Sequence, residues 1–268
     1  MFVIRGFALF GDDIAFDGLY GVVPRQLVSP ELFESVQVLN GASAFLYGAA
    51  PGGSGVGGGV DLIPKRATKP LLRVTGGYIG QSIFGAAVDV ADRFGADQEL
   101  GARFNSVYRN GDSAIRGEHR AVQADSLDID WSHGPVRASL DGGYEDQEAL
   151  RPRPEVRLAT GIAVPSAPDP SSNYGQPWTY TKLQDVFAVS RVEVDVTKNV
   201  QLYAAGGFRR GKEVGDYSTV TVTNALTGAG TGSRLFVPRN DRNVSGLVGL
   251  HAHFDTGPLT HQVNLGAS

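Results

Sequence analysis

The chain has 268 residues and a formal net charge of −4, with 41% apolar and 19% charged residues, a balance that places it among ordered proteins rather than disordered ones. It contains no cysteine, which excludes disulfides, thiolate metal sites and thiol catalysis together, and it lacks the basic field that nucleic acid requires. Thirty-six glycines, nine tyrosines and thirteen phenylalanines against a single methionine favour strands and turns, because glycine weakens helices and aromatic rings suit a pleated surface.

Two regions with different patterning follow one another. Residues 1–69 are irregular, with short apolar runs and the glycine cluster PGGSGVGGG at 51–59, and read as a small mixed α/β unit. Ser29-Pro30-Glu31 predicts a helix start, with serine capping and proline in the first turn. Val36 to Leu39 predicts the strand after it, and Asn40-Gly41 turns the chain. The run from Ala42 to Tyr47 predicts one helical turn that Gly48 ends, since glycine accepts left-handed geometry at a helix C-terminus.

From residue 70 to 268 the pattern becomes strict alternation. Leu72, Val74 and Tyr78 alternate with Arg73, Thr75 and Gly77, and Leu100, Ala102, Phe104 and Tyr108 with Arg103, Asn105 and Arg109. Leu127, Ile129 and Trp131 alternate with Ser126, Asp128 and Asp130, and Val192, Val194 and Val196 with Arg191, Glu193 and Asp195. The period of two predicts about nine antiparallel strands with one apolar face. Tight connections near 94–98, 133–135, 197–199 and 255–258 separate longer polar ones at about 110–124, 148–180 and 211–241, with a short one at 80–82. Outer-membrane barrels show this asymmetry of short turns and long loops. Tyr78, Phe84, Tyr108, Tyr144 and Phe208 fall at one height of the apolar face and Trp131 and Phe254 at the other, as two interfacial girdles would. No apolar run approaches the ~18 residues of a membrane helix, a scan to which barrel strands are invisible.

The first region resembles the plug of TonB-dependent siderophore receptors. Ile4-Arg5-Gly6-Phe7 resembles that family's arginine-glycine-phenylalanine strand, and FDGLYG, with Asp17 and Gly18, its next segment. SPELFESVQVLNGASAFLYG, which contains Gly41, Ser43, Tyr47 and Gly48, resembles its proline-led helix, strand and leucine-tyrosine-glycine end. Pro51-Gly52-Gly53 then leads towards Lys65-Arg66. The match departs at Asn40 and Ala42, where lysine and proline are usual, and at SGVGGG, which intervenes before Asp61. The resemblance implies a mainly β fold: part of a plug domain at 1–69, then an incomplete barrel wall at 70–268 from a 22-stranded barrel. It implies energised uptake of a ferric siderophore across the outer membrane of a Gram-negative cell, with outer-membrane lipid around the barrel and TonB and its inner-membrane motor complex as partners. It implies no enzymatic step and no cofactor. The TonB-contacting segment lies outside this sequence, and MFVIRGF has no signal-peptide features, so the expectation is a piece of a longer exported parent. Receptors for cobalamin, haem or oligosaccharides share the architecture, and a non-transporting surface β-protein is the alternative from another class.

Several residues invite chemistry. The glycine cluster lacks the lysine and hydroxyl of a phosphate loop, since Val60-Asp61 follow it, and a loop where backbone segments pass closely is the better reading. His251 and His253 share a strand face without supporting carboxylates, so a polar lining pair outweighs a metal site. Asp128, Asp130, Glu193 and Asp195 repeat along strand faces as lumen lining does, not as an acid–base pair. The segment 148–180 carries Arg151, Arg153, Arg157, Tyr174, Trp178 and Tyr180, guanidinium forks beside flat rings that suit anionic, aromatic iron chelates. An ordinary solvent loop explains them equally well. Arg5, in an apolar strand, must find acceptors, and Asp128 or Asp130 are the expected partners.

Overall fold

The computed structural model describes residues 2–41, 48 and 50–268. Chain order begins with a hairpin, β1 (Phe2–Ile4) and β2 (Phe7–Leu9), turning through Arg5 and Gly6 at φ +51° and +84°. A single 3-10 turn at Gly11–Asp13 leads to β3 (Ala15–Phe16) and β4 (Leu19–Tyr20). They are joined by Asp17-Gly18, both left-handed, a geometry aspartate tolerates and glycine favours. β5 (Ser35–Asn40) and β6 (Gly58–Ile63) complete a four-stranded sheet in the order β4-β3-β6-β5, with β3 parallel to β6. The first region is thus a mixed-sheet unit whose helical content, among the described residues, is two 3-10 turns.

Ser29 does not open an α-helix. Pro30–Leu32 is one 3-10 turn, and the Ser29 hydroxyl makes no capping bond; it donates to Glu145 of the large sheet at 2.7 Å. A single turn cannot repay the cost of helix nucleation, so the hydroxyl goes to the neighbouring surface instead. The expected helical turn at 42–47, with Ser43 and Tyr47, lies outside the described residues.

The second region is one curved antiparallel sheet. Its strands are β7 (Leu71–Ile79), β8 (Ile83–Phe94), β9 (Leu100–Asp112), β10 (His119–His133), β11 (Val136–Leu150), β12 (Val156–Leu158), β13 (Tyr180–Thr197), β14 (Val200–Val222), β15 (Gly230–Thr256) and β16 (Leu259–Ala267). They run β16-β15-β14-β13-β11-β10-β9-β8-β7, nine strands in sequence order, with β12 adding parallel to β14. The tight connections fall where the sequence put them. Two of the expected long loops are shorter: 110–124 contracts to 113–118, and 211–241 to 223–229, because β14 and β15 stay paired from Val200↔Ala252 to Val222↔Gly230. Alternation reveals a strand only where one face is apolar; where polar and apolar residues mix on both faces, as from Val214 to Val222, backbone pairing continues without that signature.

Leu72, Val74, Phe104, Leu127, Trp131 and Val192 are all exposed on the convex side. Phe94, Leu100 and Trp131 are successive cross-strand neighbours beside the short turns. Near the opposite end Tyr78 and Phe84 are paired, with ring centroids 5.0 Å apart. The concave side is less uniformly polar than the alternation suggested. Val107, Ala124, Phe187 and Val189 point inward and are buried against Ile14, Phe16, Leu19 and Val22 of the small unit. Phe16 meets Phe187 edge to face at 5.5 Å. Each such side chain removed from water contributes about 1.5–3 kcal/mol, so an apolar patch under the small unit holds it on the wall.

Candidate functional site

The chemistry of the chain is concentrated where the small unit meets the concave face. Strand period two sends every second residue of β8 to β15 inward, and this inward set includes Asp89, Arg103, Arg109, Asp128, Asp141, Arg191 and Arg209. The irregular unit meets them with charges of opposite sign. Near the short turns, Arg93 on the wall bonds Asp130 at 2.8 Å and also donates to the Ala67 carbonyl of the connecting segment at 2.7 Å. Farther in, Arg66 forks onto Asp141, with Nη2 to Oδ2 at 2.9 Å. Arg103 holds both Asp89 at 2.8 Å and Glu34 at 2.9 Å, and Lys65 bonds Asn105 at 2.6 Å. Towards the long loops, Arg109 holds Glu31 at 2.6 Å, and Arg25 holds Glu213 at 2.8 Å.

One wall arginine reaches a left-handed turn. Arg191 Nε donates to Asp17 Oδ2 at 2.8 Å and its Nη2 to the Asp17 carbonyl at 2.5 Å. Beneath that turn the Gly18 N–H donates to Asp61 Oδ1 at 3.1 Å. Burial pushes the Asp61 carboxyl up to about 6, only partly countered by that N–H, and the neighbouring Asp17 charge adds to the rise. Of these pairs Arg66–Asp141 has a fully buried carboxylate, so breaking that partnership is costly while the intact pair is closer to neutral.

The expected partner of Arg5 is corrected. Arg5 is exposed and makes no ion pair among the described residues. Asp130 is taken by Arg93, and Asp128 accepts from the Ser126 hydroxyl at 3.2 Å beside the Arg66–Asp141 pair. Arg5 occupies the outer corner of a β1–β2 hairpin, from which its side chain meets solvent. The other motif residues build the glycine segment. Gly41, at φ +102°, donates to the Gly57 carbonyl at 2.8 Å. Gly48 and Gly53 are left-handed. A Cβ on Gly57 would overlap the Ile4 carbonyl, and one on Gly52 would lie 2.7 Å from Asp13 Oδ1. Close backbone approach is therefore the reason for glycine there.

In the segment between β11 and β13, the arginines bind their own loop. Arg151 donates to the Gly175 carbonyl at 2.9 Å, Arg153 to the Pro170 carbonyl at 2.8 Å, and Arg157 pairs with Glu155 at 3.0 Å. Trp178 lies under the Arg234 guanidinium at 5.2 Å from the ring centroid. Tyr174 is exposed, and Tyr180 opens β13 opposite Asp216. Sequence reasoning missed Arg234, and it missed Arg191, Arg209 and Arg25 as contacts between the two regions. The readable signal was an arginine recurring on the inward side of otherwise apolar-alternating strands. His251 bonds Asn264 at 2.7 Å and stacks on Tyr203, and no group of three or more metal-ligating side chains forms among the described residues.

Residues 1–54 match the profile of the TonB-dependent Receptor Plug Domain family. Over 264 residues the chain is 45% identical to the ferrichrome receptor FcuA of Yersinia enterocolitica, covering 98% of this chain and 35% of that protein. It superposes on BauA, the ferric preacinetobactin receptor of Acinetobacter baumannii, with a TM-score of 0.92 and 31% identity, over 98% of this chain and 39% of that one. The ferripyoverdine receptor of the Pseudomonas aeruginosa outer membrane shares the fold alone, at TM-score 0.78 and 15% identity over 98% and 36% of the two chains. The chain thus spans about a third of the length of the curated relative it matches. The resemblance read in the sequence, to part of a plug and part of a barrel wall of a TonB-dependent siderophore receptor, is the one these matches return.

Proposed function

We propose that the chain is the plug-and-wall portion of an outer-membrane receptor that takes up a ferric siderophore in a TonB-dependent manner, with residues 1–69 as plug and 70–268 as wall. The observation that carries this reading is the mixed-sheet unit seated on the concave side of a sheet whose convex side is apolar and exposed. A plug held by pairs such as Arg191–Asp17 and Arg66–Asp141 blocks the lumen at rest, yet each contact is an ion pair that can be exchanged for water one at a time under an applied force. The convex face, with Leu127 49% exposed between two aromatic rows, fits outer-membrane lipid and gives no reason for a second protein layer. The two relatives described above at more than 30% identity are named for ferric chelates, which supports that substrate class over cobalamin, haem and oligosaccharides. The intact receptor containing this chain, expressed in cells stripped of other siderophore receptors, should import radio-iron presented as a ferric siderophore, and import should stop when TonB is deleted. Import that persists without TonB, or none with any ferric siderophore, would refute the reading.

The loop between β11 and β13 is the proposed contributor to capture, through Arg151, Arg153, Tyr174, Trp178 and Tyr180. In its support, Tyr174 and Trp178 are exposed on the side of the long loops, although Arg151 and Arg153 already donate to backbone carbonyls. Replacing Arg151, Arg153 and Trp178 together with alanine should weaken siderophore binding to the intact receptor about tenfold or more. Unchanged affinity in equilibrium titrations would return the segment to the status of an ordinary solvent loop.

A further inference from the structure

Two adjacent aspartates in one short turn face in different directions. The turn Gly11–Asp13 is closed by Asp13 N–H to the Phe10 carbonyl at 3.1 Å and Ile14 N–H to the Gly11 carbonyl at 3.3 Å. Asp13 is fully buried. Its Oδ1 accepts the Gly52 N–H at 2.6 Å, and its Oδ2 accepts the Ser54 N–H at 2.9 Å as well as the Ser54 hydroxyl. Ser54 Oγ in turn accepts the Phe10 N–H at 3.0 Å. A Cβ at 52 would lie 2.7 Å from Asp13 Oδ1, so any larger residue there must push the carboxylate from its two amides. The Gly52–Ser54 end of the glycine segment is thus tied to the turn by one side chain, while the Gly55–Gly58 end is held by backbone bonds to Ala8 and Gly41.

Asp12 looks at the wall. Its carboxylate lies 3.7 Å from Arg209 on β14, whose side chain is only 2% exposed and also meets Asp185 of β13 at 3.1 Å and Asp241 of β15 at 3.7 Å. The turn is also pressed from behind, since a Cβ on Gly11 would overlap the Arg25 carbonyl, and the Arg25 guanidinium joins Glu213 on the same part of the wall. Phe10, Gly11, Asp12, Arg25 and Gly52 line one recess of about 540 Å³.

We infer that the Gly11–Asp13 turn is a relay. It couples the charge cluster around Arg209 on the wall to the conformation of the Gly52–Ser54 segment, which Arg209 does not touch. The physical basis is that Asp12 and Asp13 share a turn closed by two backbone bonds, so a shift of one carboxylate cannot leave the other in register with two amides and a hydroxyl. Asp12 and Asp13 act as positioning residues for the glycine segment. The inference concerns coupling within the chain and holds whatever the receptor carries.

The test is amide hydrogen exchange on the intact receptor containing this chain, in detergent micelles. Asp12→Asn is isosteric and Arg209→Lys keeps the positive charge while removing the guanidinium nitrogens that meet Asp12, and each should make the Gly52 and Ser54 amides exchange about fivefold faster, the scale of one weakened hydrogen bond. Asp13→Asn should accelerate the same amides directly, which establishes that the measurement registers their release. Glu34→Gln, which loosens a different contact with the wall at Arg103, should leave them unchanged. Acceleration by Asp13→Asn with none from Asp12→Asn or Arg209→Lys overturns the relay. Equal acceleration by Glu34→Gln also overturns it, because the effect would then be general loosening of the plug.

Discussion

Asp61, in the small unit, is a residue whose protonation its burial makes consequential. Its carboxyl is raised from the ordinary aspartate value to about 6, chiefly by burial. A raised acid binds its proton more tightly in the folded state, so stability falls as pH rises from about 4 to about 6 and is level above that. Asp61→Asn keeps an oxygen to accept the Gly18 N–H and removes the buried charge. The variant should gain up to about 3 kcal/mol over the parent at pH 8 and nothing at pH 4. Urea unfolding of both proteins in detergent at the two pH values checks this, and a gain independent of pH would contradict it. Gly57→Ala should cost about 1–3 kcal/mol, because the methyl must displace the Ile4 carbonyl from the β1–β2 hairpin; an unfolding midpoint within error of the parent would show that the hairpin yields freely. The motif glycines were legible as glycines in the sequence. The carboxylate that crowds Gly52 was not, since Asp13 is distant along the chain.

At the scale of elements, strands with one apolar face were readable, and stretches mixing polar and apolar residues on both faces were not. Leu127, Ile129 and Trp131 announced β10, whereas the paired upper halves of β14 and β15, joined by Arg234–Asp216 and Thr219–Ser233 besides their backbone bonds, read as a polar loop because their polar and apolar residues do not alternate. Ser29 shows the converse. Its local signal was a helix cap, and the tertiary partner Glu145 won, because one helical turn is too short to sustain itself. The contacts between the two regions are also an element-scale property, and Arg66 tests it. Arg66→Ala leaves Asp141, which is fully buried, without its counter-charge beside Asp128, and should destabilise seating of the plug by about 3–5 kcal/mol. Faster proteolysis of residues 1–69 with the wall intact is the expected readout, and unaltered cleavage would mean that apolar burial around Phe16 suffices.

The whole molecule is a curved sheet with a small mixed unit in its hollow, and the environment of its outer face decides what it is. Leu127 lies midway between the row at Trp131 and the ring of Tyr108, whose cross-strand partner is Gln123. Leu127→Arg should cost about 2–4 kcal/mol in a bilayer, but within about 0.5 kcal/mol were that face in water. Folding titrations in lipid vesicles distinguish the two. The sequence by itself determined the two regions, the nine-strand path of the wall and the two faces of its alternating strands, because a period of two is a local property of an extended chain; β12 and the upper halves of β14 and β15 were outside that signal. Which inward charge meets which plug residue was settled only in three dimensions. An arginine's partner depends on how the unit docks, and docking is set by apolar patches such as Phe16 and Phe187 that lie far apart in the chain. Arg5 and Arg66 therefore looked alike as sequence, and only the fold turned one to solvent and the other onto Asp141.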